Sequence, residues 1–248
     1  MSNVRKASSA SEPNRPRALR IHGTIARDIG IRIVSGRYRP GETLSGEVAA
    51  ADELNVSRTA YREAVRILSA KGLVESRPKT GTRISEQSKW HLLDPDILSW
   101  IFEHEPDDAL VASLFELRKI VEPQAAMLAA QRRSDAQIER MARALDGMAE
   151  HTLTTEAGRM ADQDFHATLL EAAANPFLTT LTSGVGAAVS WTTLFKQRHN
   201  PLPRDPLPDH RAVFDAVAAG DPAAAHRAMG DLVDMAFADT KEARKPGR

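Results

Sequence analysis

Residues 47–65 leave little freedom in the choice of fold. Ala49, Ala50 and Ala51 are small enough for two helices to cross closely, Asn55-Val56 reverses the chain, and Ser57 is placed to N-cap a second helix. The first helix is expected over about 46–54, with Val48, Ala51 and Leu54 as its apolar face. The second runs from the Ser57 cap to Lys71, with Val65 and Leu68 pointing inward and Gly72 stopping it. Upstream, Ile21, Ile25, Ile29 and Ile33 recur every four residues, which predicts a helix over 19–34 with one apolar stripe. Ser35-Gly36 ends it and Pro40-Gly41 makes a turn. Downstream, residues 73–77 and 82–85 alternate like strands around Pro78-Lys79-Thr80-Gly81. Helix, helix, turn, helix, hairpin is the order of a winged helix-turn-helix, expected over residues 18–85.

Charge divides the chain at the same place. The whole sequence carries 33 Lys+Arg and 33 Asp+Glu, a formal charge of zero. Residues 1–85, however, hold 16 basic against 8 acidic residues, a balance of +8, and residues 86–248 hold 17 against 25, a balance of −8. Such asymmetry points to two domains with different partners, the basic one suited to a polyanion whose counterions Lys and Arg displace. There is no cysteine, which excludes disulfides, cysteine-ligated zinc and thiol nucleophiles and agrees with a reducing cytoplasm. No apolar run approaches the roughly 20 residues that cross a bilayer, so no membrane partner is expected. Residues 1–17 are polar and basic without an apolar segment; they read as a disordered tail and not a secretory signal, and a cytoplasmic location is expected.

Beyond a linker at 86–93 the pattern turns helical. Helices are predicted at about 95–104, 107–131, 134–151, 155–174, 176–198, 207–219 and 221–243. Asp94-Pro95, Asp107, Ser134, Asn175-Pro176 and Asp221-Pro222 are start signals, and Gly220 is a stop. Pro201, Pro203, Pro206 and Pro208 stiffen the loop before the last two helices. The expected fold is mainly α: a winged helix-turn-helix followed by an all-helical antiparallel bundle over 94–243.

Two groups of residues carry chemistry. Ser57, Arg58 and Thr59 open the second helix of the helix-turn-helix, where a recognition helix meets the major groove, and Arg62 lies one turn beyond Arg58 on the same face. Arginine reads guanine edges, and Arg and Thr both serve phosphates. In the hairpin Lys79, Thr80 and Thr82 flank Gly81, whose missing side chain permits close approach to a sugar-phosphate backbone. The plainer alternative makes Arg58 and Arg62 solvated helix-face charges. In the second half, Asp162 and His166 share a helix face in Asp162-Gln163-Asp164-Phe165-His166, with Phe165 turned to the core. With His210 they make a carboxylate-and-imidazole set able to hold a divalent metal (zinc, nickel or manganese) inside a helical bundle. A surface Asp–His hydrogen bond and a core or capping His210 are the plainer alternatives. Arg118 either pairs with Glu122 one turn on or meets a ligand carboxylate through its planar fork. The same set has the composition of a two-His-one-carboxylate iron oxygenase, but no nucleophile, phosphate loop or dehydrogenase fingerprint accompanies it. An enzyme is therefore not expected.

Val56-Ser57-Arg58-Thr59, Arg62-Glu63-Ala64, Leu68, Gly72-Leu73-Val74 and Gly81-Thr82 resemble the GntR family of transcriptional regulators in order and spacing. Relatives usually have Pro-Ser or Pro-Asn before the glutamate and often Arg after it. Here Ser45-Gly46 precede Glu47 and Val48 comes after it, so that arginine's DNA contact does not carry over. Arg118, Glu122, the Asp162-x-x-Phe165-His166 motif, Asn175-Pro176 and His210 similarly resemble the FCD domain of FadR-type members. The resemblance implies a homodimer on a double-stranded operator and a small carboxylate effector bound near Arg118, Glu122, Asp162, His166 and His210. It also implies a metal held by Asp162, His166 and His210. The family's fourth ligand, a histidine, is replaced by Leu232, so the site is one ligand short and holds either one divalent metal or none; His226 is expected to face solvent. Trp90, residues 93–100 and Glu116-x-Arg118-x-x-Val121-Glu122-Pro123 are similar to members that repress sugar-acid operons, which implies an aldonate such as galactonate. Lactate, another organic acid or an acyl thioester remain alternatives.

Overall fold

The computed structural model describes residues 15–77, 81–199 and 204–244, and the chain forms two compact units, 1–90 and 91–248.

The first unit opens with α1 (Arg15–Val34), which starts inside the expected tail because Pro16 lies in its first turn, where a missing N–H costs nothing. Residues 1–14 lie outside the described residues. Ile25, Ile29 and Ile33 are buried, but Ile21 is 43% exposed, so the stripe is one residue shorter than its pattern. At 1.5 Å per residue the 20-residue α1 overruns the 13-residue α3 (Arg58–Ala70) on which it packs. The short α2 (Glu47–Glu53) buries Ala50 and Ala51; Val48 is exposed and Leu54 half-buried, contrary to the expected Val48–Ala51–Leu54 face. Only two turns long, α2 makes its contact through its second turn, and of the three alanines Ala49 stays outside. Asn55 takes φ +52°, a left-handed conformation that asparagine tolerates, and this tightens the turn. Ser57 Oγ then accepts from Ala60 N at 3.1 Å to cap α3, and Gly72 at φ +76° lets the chain leave it.

The wing pairs β1 (Val74–Arg77) with β2 (Gly81–Ile84), from Val74 opposite Ile84 to Arg77 opposite Gly81. The turn after α1 adds a third rung: Leu44 N donates to Thr82 O and Ile84 N to Glu42 O, both at 2.8 Å. The expected linker contains a single helical turn, Gln87–Lys89, after which the Trp90 indole donates to Ser85 O.

The second unit is all helical: α4 (Pro95–Glu103), α5 (Asp108–Arg132), α6 (Asp135–His151), α7 (Glu156–Ala172), α8 (Pro176–Thr179), α9 (Thr182–His199), α10 (Leu207–Ala219) and α11 (Pro222–Ala243). Asp94, Asp107, Ser134, Thr155, Asn175 and Asp221 each cap a helix start, and Ser134 with Gln137 forms a reciprocal capping box. The single helix expected over 176–198 is two. Thr179 and Thr180 turn their hydroxyls back onto Asn175 O and Phe177 O, closing a one-turn helix before α9 starts. Of the four loop prolines, Pro201 and Pro203 lie outside the described residues. Helices α5, α7, α9 and α11 pack around Phe115, Phe165, Leu169 and Phe195, all nearly inaccessible, and a buried polar cluster sits in the same core.

Candidate functional site

In the first unit Ser57, Arg58 and Thr59 stand exposed at the start of α3. Arg62 is exposed too, but its guanidinium pairs with Glu47 of α2 at 3.1 Å, an interaction that α2 and α3 set up by crossing and that sequence spacing does not announce. Gly81 is exposed at φ +82°, and Thr82 is half-buried on β2. Lys79 and Thr80 lie outside the described residues. The exposed Arg83 donates to Gly41 O at 2.5 Å and ties the wing to the turn after α1.

In the second unit α5, α7 and α10 bring Arg118, Glu122, Asp162, His166 and His210 into one cluster, each at most 3% exposed. Arg118 and Glu122 form a buried pair and not a surface one: Nε lies 2.6 Å from Oε1 and Nη2 3.5 Å from Oε2. His166 Nδ1 lies 2.7 Å from Glu122 Oε2, and His166 Nε2 lies 3.6 Å from Asp162 Oδ1. His210 Nδ1 faces Pro206 O at 2.8 Å, and its Nε2 lies 2.9 Å from Asp162 Oδ1. The Pro206 carbonyl only accepts, so it draws a proton to His210 Nδ1, whereas His166 Nδ1 is close to Glu122 without being aligned to it as a hydrogen bond. Phe165 packs edge-on against both rings, at 5.9 Å from His166 and 5.2 Å from His210.

Burial works to raise the carboxyls here, and the neighbouring cations outweigh it. Arg118, then His166, hold Glu122 down at about 2, and His210 with His166 lowers Asp162. Burial alone would lower His210, but Asp162 raises it instead.

The metal question turns on three donor atoms, one each from Asp162, His166 and His210, which lie within 4.8 Å of one another. Although Asp162 Oδ1 and His210 Nε2 are close, they are not aligned as a hydrogen bond, and both are buried without an aligned partner. Two imidazoles and a carboxylate turned onto one spot fit a divalent transition metal. Glu122 and the Pro206 carbonyl stand behind the rings as orienting groups. Leu232 is buried on the wall of the same cavity, and His226 on α11 is exposed.

The cavity beside the cluster has a volume of about 30 Å³. Its wall includes residues that the motifs did not single out: Thr192, Thr193 and Lys196 of α9, with Arg204 and Asp239. Burial pushes the Lys196 ammonium down to about 8, against the pull of Asp239 and Asp162. The signal was present, since Val189, Thr192, Thr193 and Lys196 fall at i, i+3, i+4 and i+7, but a lysine at helical spacing reads more readily as a solvated face.

The family of bacterial regulatory proteins, gntR family, matches residues 22–84, and the FCD domain matches residues 113–235. The chain is 32% identical over 221 residues to the galactonate operon transcriptional repressor of Escherichia coli K12, covering 88% of this chain and 96% of that protein. It is 33% identical over 204 residues to the HTH-type transcriptional regulator LutR of Bacillus subtilis 168, covering 79% and 90%. To the Uxu operon transcriptional regulator of Escherichia coli K12 it is 30% identical over 216 residues, covering 84% and 80%. Among solved structures, Lar, which controls the expression of the Listeria monocytogenes agr system, superposes with a TM-score of 0.62 at 16% identity over 89% of this chain and 96% of that one, a likeness of fold. The matched families and relatives are transcriptional regulators, not enzymes.

Proposed function

Since the chain belongs to the GntR family of bacterial regulatory proteins, with an FCD domain behind its DNA-binding unit, we propose that it represses a sugar-acid catabolic operon and leaves its operator when an aldonate such as galactonate binds. The observation that carries the effector half is the buried cluster of Arg118, Glu122, Asp162, His166 and His210 beside a cavity in the FCD unit. Isolated buried charges are expensive, and here they converge where a small acid would enter. On the DNA side, Ser57, Arg58 and Thr59 present the positive end of α3 to the major groove, with Gly81, Thr82, Lys79 and Thr80 of the wing against the backbone. Arg62 joins them by giving up Glu47. A homodimer places two such units on a pseudo-palindromic site in the cytoplasm; among the described residues no helix is long and apolar enough to cross a membrane.

Asp162, His166 and His210 would hold the metal, which supplies a positive centre for the effector's oxygens when bound. Glu122 keeps the His166 ring oriented, and Leu232 closes the side from which relatives send a fourth ligand. The switch itself is differential affinity: the effector favours the arrangement that grips DNA less well. The small cavity supports a second reading, a shorter acid such as lactate. Gel-shift titration on the DNA upstream of the gene, with galactonate, other aldonates and lactate, tests both. Unchanged operator affinity with every acid would reject this effector class, and no sequence preference even in dilute salt would reject the DNA reading.

A further inference from the structure

Among the charged side chains around the inner cavity, Lys196 is set apart. Glu122 neutralises Arg118 and lies against His166, Asp162 faces His210, and Arg204 is held by Asp209 and Asp239. Lys196 is 7% exposed and makes no hydrogen bond or ion pair with any described residue. An ammonium buried in this way is costly unless a counter-charge arrives. At about 30 Å³ the cavity is larger than the roughly 10–15 Å³ that one water needs, which gives room for a carboxylate head but not for a six-carbon acid. A second cavity of about 330 Å³ adjoins it and shares Leu153, Arg204 and Pro206 as its wall.

We propose that Lys196 is the anion anchor of the effector site: its ammonium receives the ligand's carboxylate in the inner cavity, while the hydroxylated body extends past Leu153 and Arg204 into the larger one. This rests on the carboxylate-effector reading and assigns that role to Lys196, since Glu122 already occupies Nε and Nη2 of Arg118. Methionine approximates the shape of lysine without its charge, so Lys196→Met tests the anchor in the full-length protein by thermal melting and calorimetric titration with galactonate, lactate and inorganic phosphate.

The expected result is a variant that melts at the same or a higher temperature without ligand and binds galactonate at least tenfold more weakly. Galactonate binding within threefold of the unmutated protein would overturn the anchor and leave the sugar-acid reading standing. A lower melting temperature without ligand would also overturn it, because a lysine that serves as counter-ion to Asp239 stabilises the fold. If galactonate is silent but lactate or phosphate stabilises the unmutated protein and not the variant, the anchor stands and the sugar-acid reading falls. If no anion binds the unmutated protein, both fall.

Discussion

Glu122→Gln removes one charge from the centre of the buried cluster with almost no change in volume. Glu122 is fully buried against Arg118 Nε at 2.6 Å and His166 Nδ1 at 2.7 Å. Arginine keeps its charge at any working pH, so the variant leaves Arg118 buried beside a neutral amide. Breaking a buried pair from one side costs roughly 3–5 kcal/mol. A second route gives a similar figure. The Glu122 carboxyl is held at about 2 against an ordinary 4.5, and that difference is worth about 3 kcal/mol. A carboxyl lowered by folding contributes its stability in full above its unfolded value of 4.5 and loses it as pH falls toward 2; about 2 kcal/mol is gone by pH 3. Urea denaturation of the full chain at pH 7 is therefore expected to show the variant less stable by about 3–5 kcal/mol. At pH 3 the gap narrows by about 2 kcal/mol, because the unmutated protein has lost what the variant never had. A variant within about 1 kcal/mol at pH 7, or a gap that does not change with pH, would refute the reasoning.

Arg58→Ala is expected to weaken operator binding by about 1–3 kcal/mol in gel shifts, and Arg62→Ala by less, because Arg62 must first leave Glu47. Gly158→Ala places a methyl 1.7 Å from the Thr152 carbonyl oxygen, which forces the start of α7 off the loop beneath it; a loss of about 1–3 kcal/mol or more should appear in thermal melting. Equimolar zinc should raise the melting temperature and a chelator should reverse the gain; Asp162→Asn and His210→Ala should each abolish it, and zinc-independent melting of the unmutated protein would dismiss the metal.

The helix starts were legible because capping is local. Ser57, Asp94, Asp107, Ser134, Asn175 and Asp221 each satisfy N–H groups within three residues of themselves. The break between α8 and α9 was not, because it is made by threonine hydroxyls that a periodicity count treats as neutral positions. The third rung of the wing at 42–44 was hidden as well, since its partner, β2, lies about 40 residues away and the segment has no alternation of its own. Asp162 and His166 stood out as a pair at one-turn spacing. That His210 and Arg118–Glu122 meet them depends on how the helices pack, and the helical spacing of Lys196 was ambiguous because exposure, not spacing, separates a cavity lysine from a solvated one.

A regulatory site of this kind carries an energetic requirement that separates the two effector readings. Moving a two-state equilibrium from 1:99 to 99:1 requires about 5.5 kcal/mol of differential affinity. One hydrogen bond to a charged group contributes about 1.5–3 kcal/mol. In the metal-free protein a carboxylate seated on Lys196 alone therefore falls short, and the remainder must come from contacts made by the rest of the ligand, for which the larger cavity beside Leu153, Arg204 and Pro206 has room. A three-carbon acid reaches little of that cavity, whereas a six-carbon aldonate crosses it. At saturating ligand, galactonate is accordingly expected to release nearly all of the bound operator and lactate only a fraction, whatever their dissociation constants. Equal and complete release by both would mean that the head group alone sets the switch and that the larger cavity contributes nothing to it.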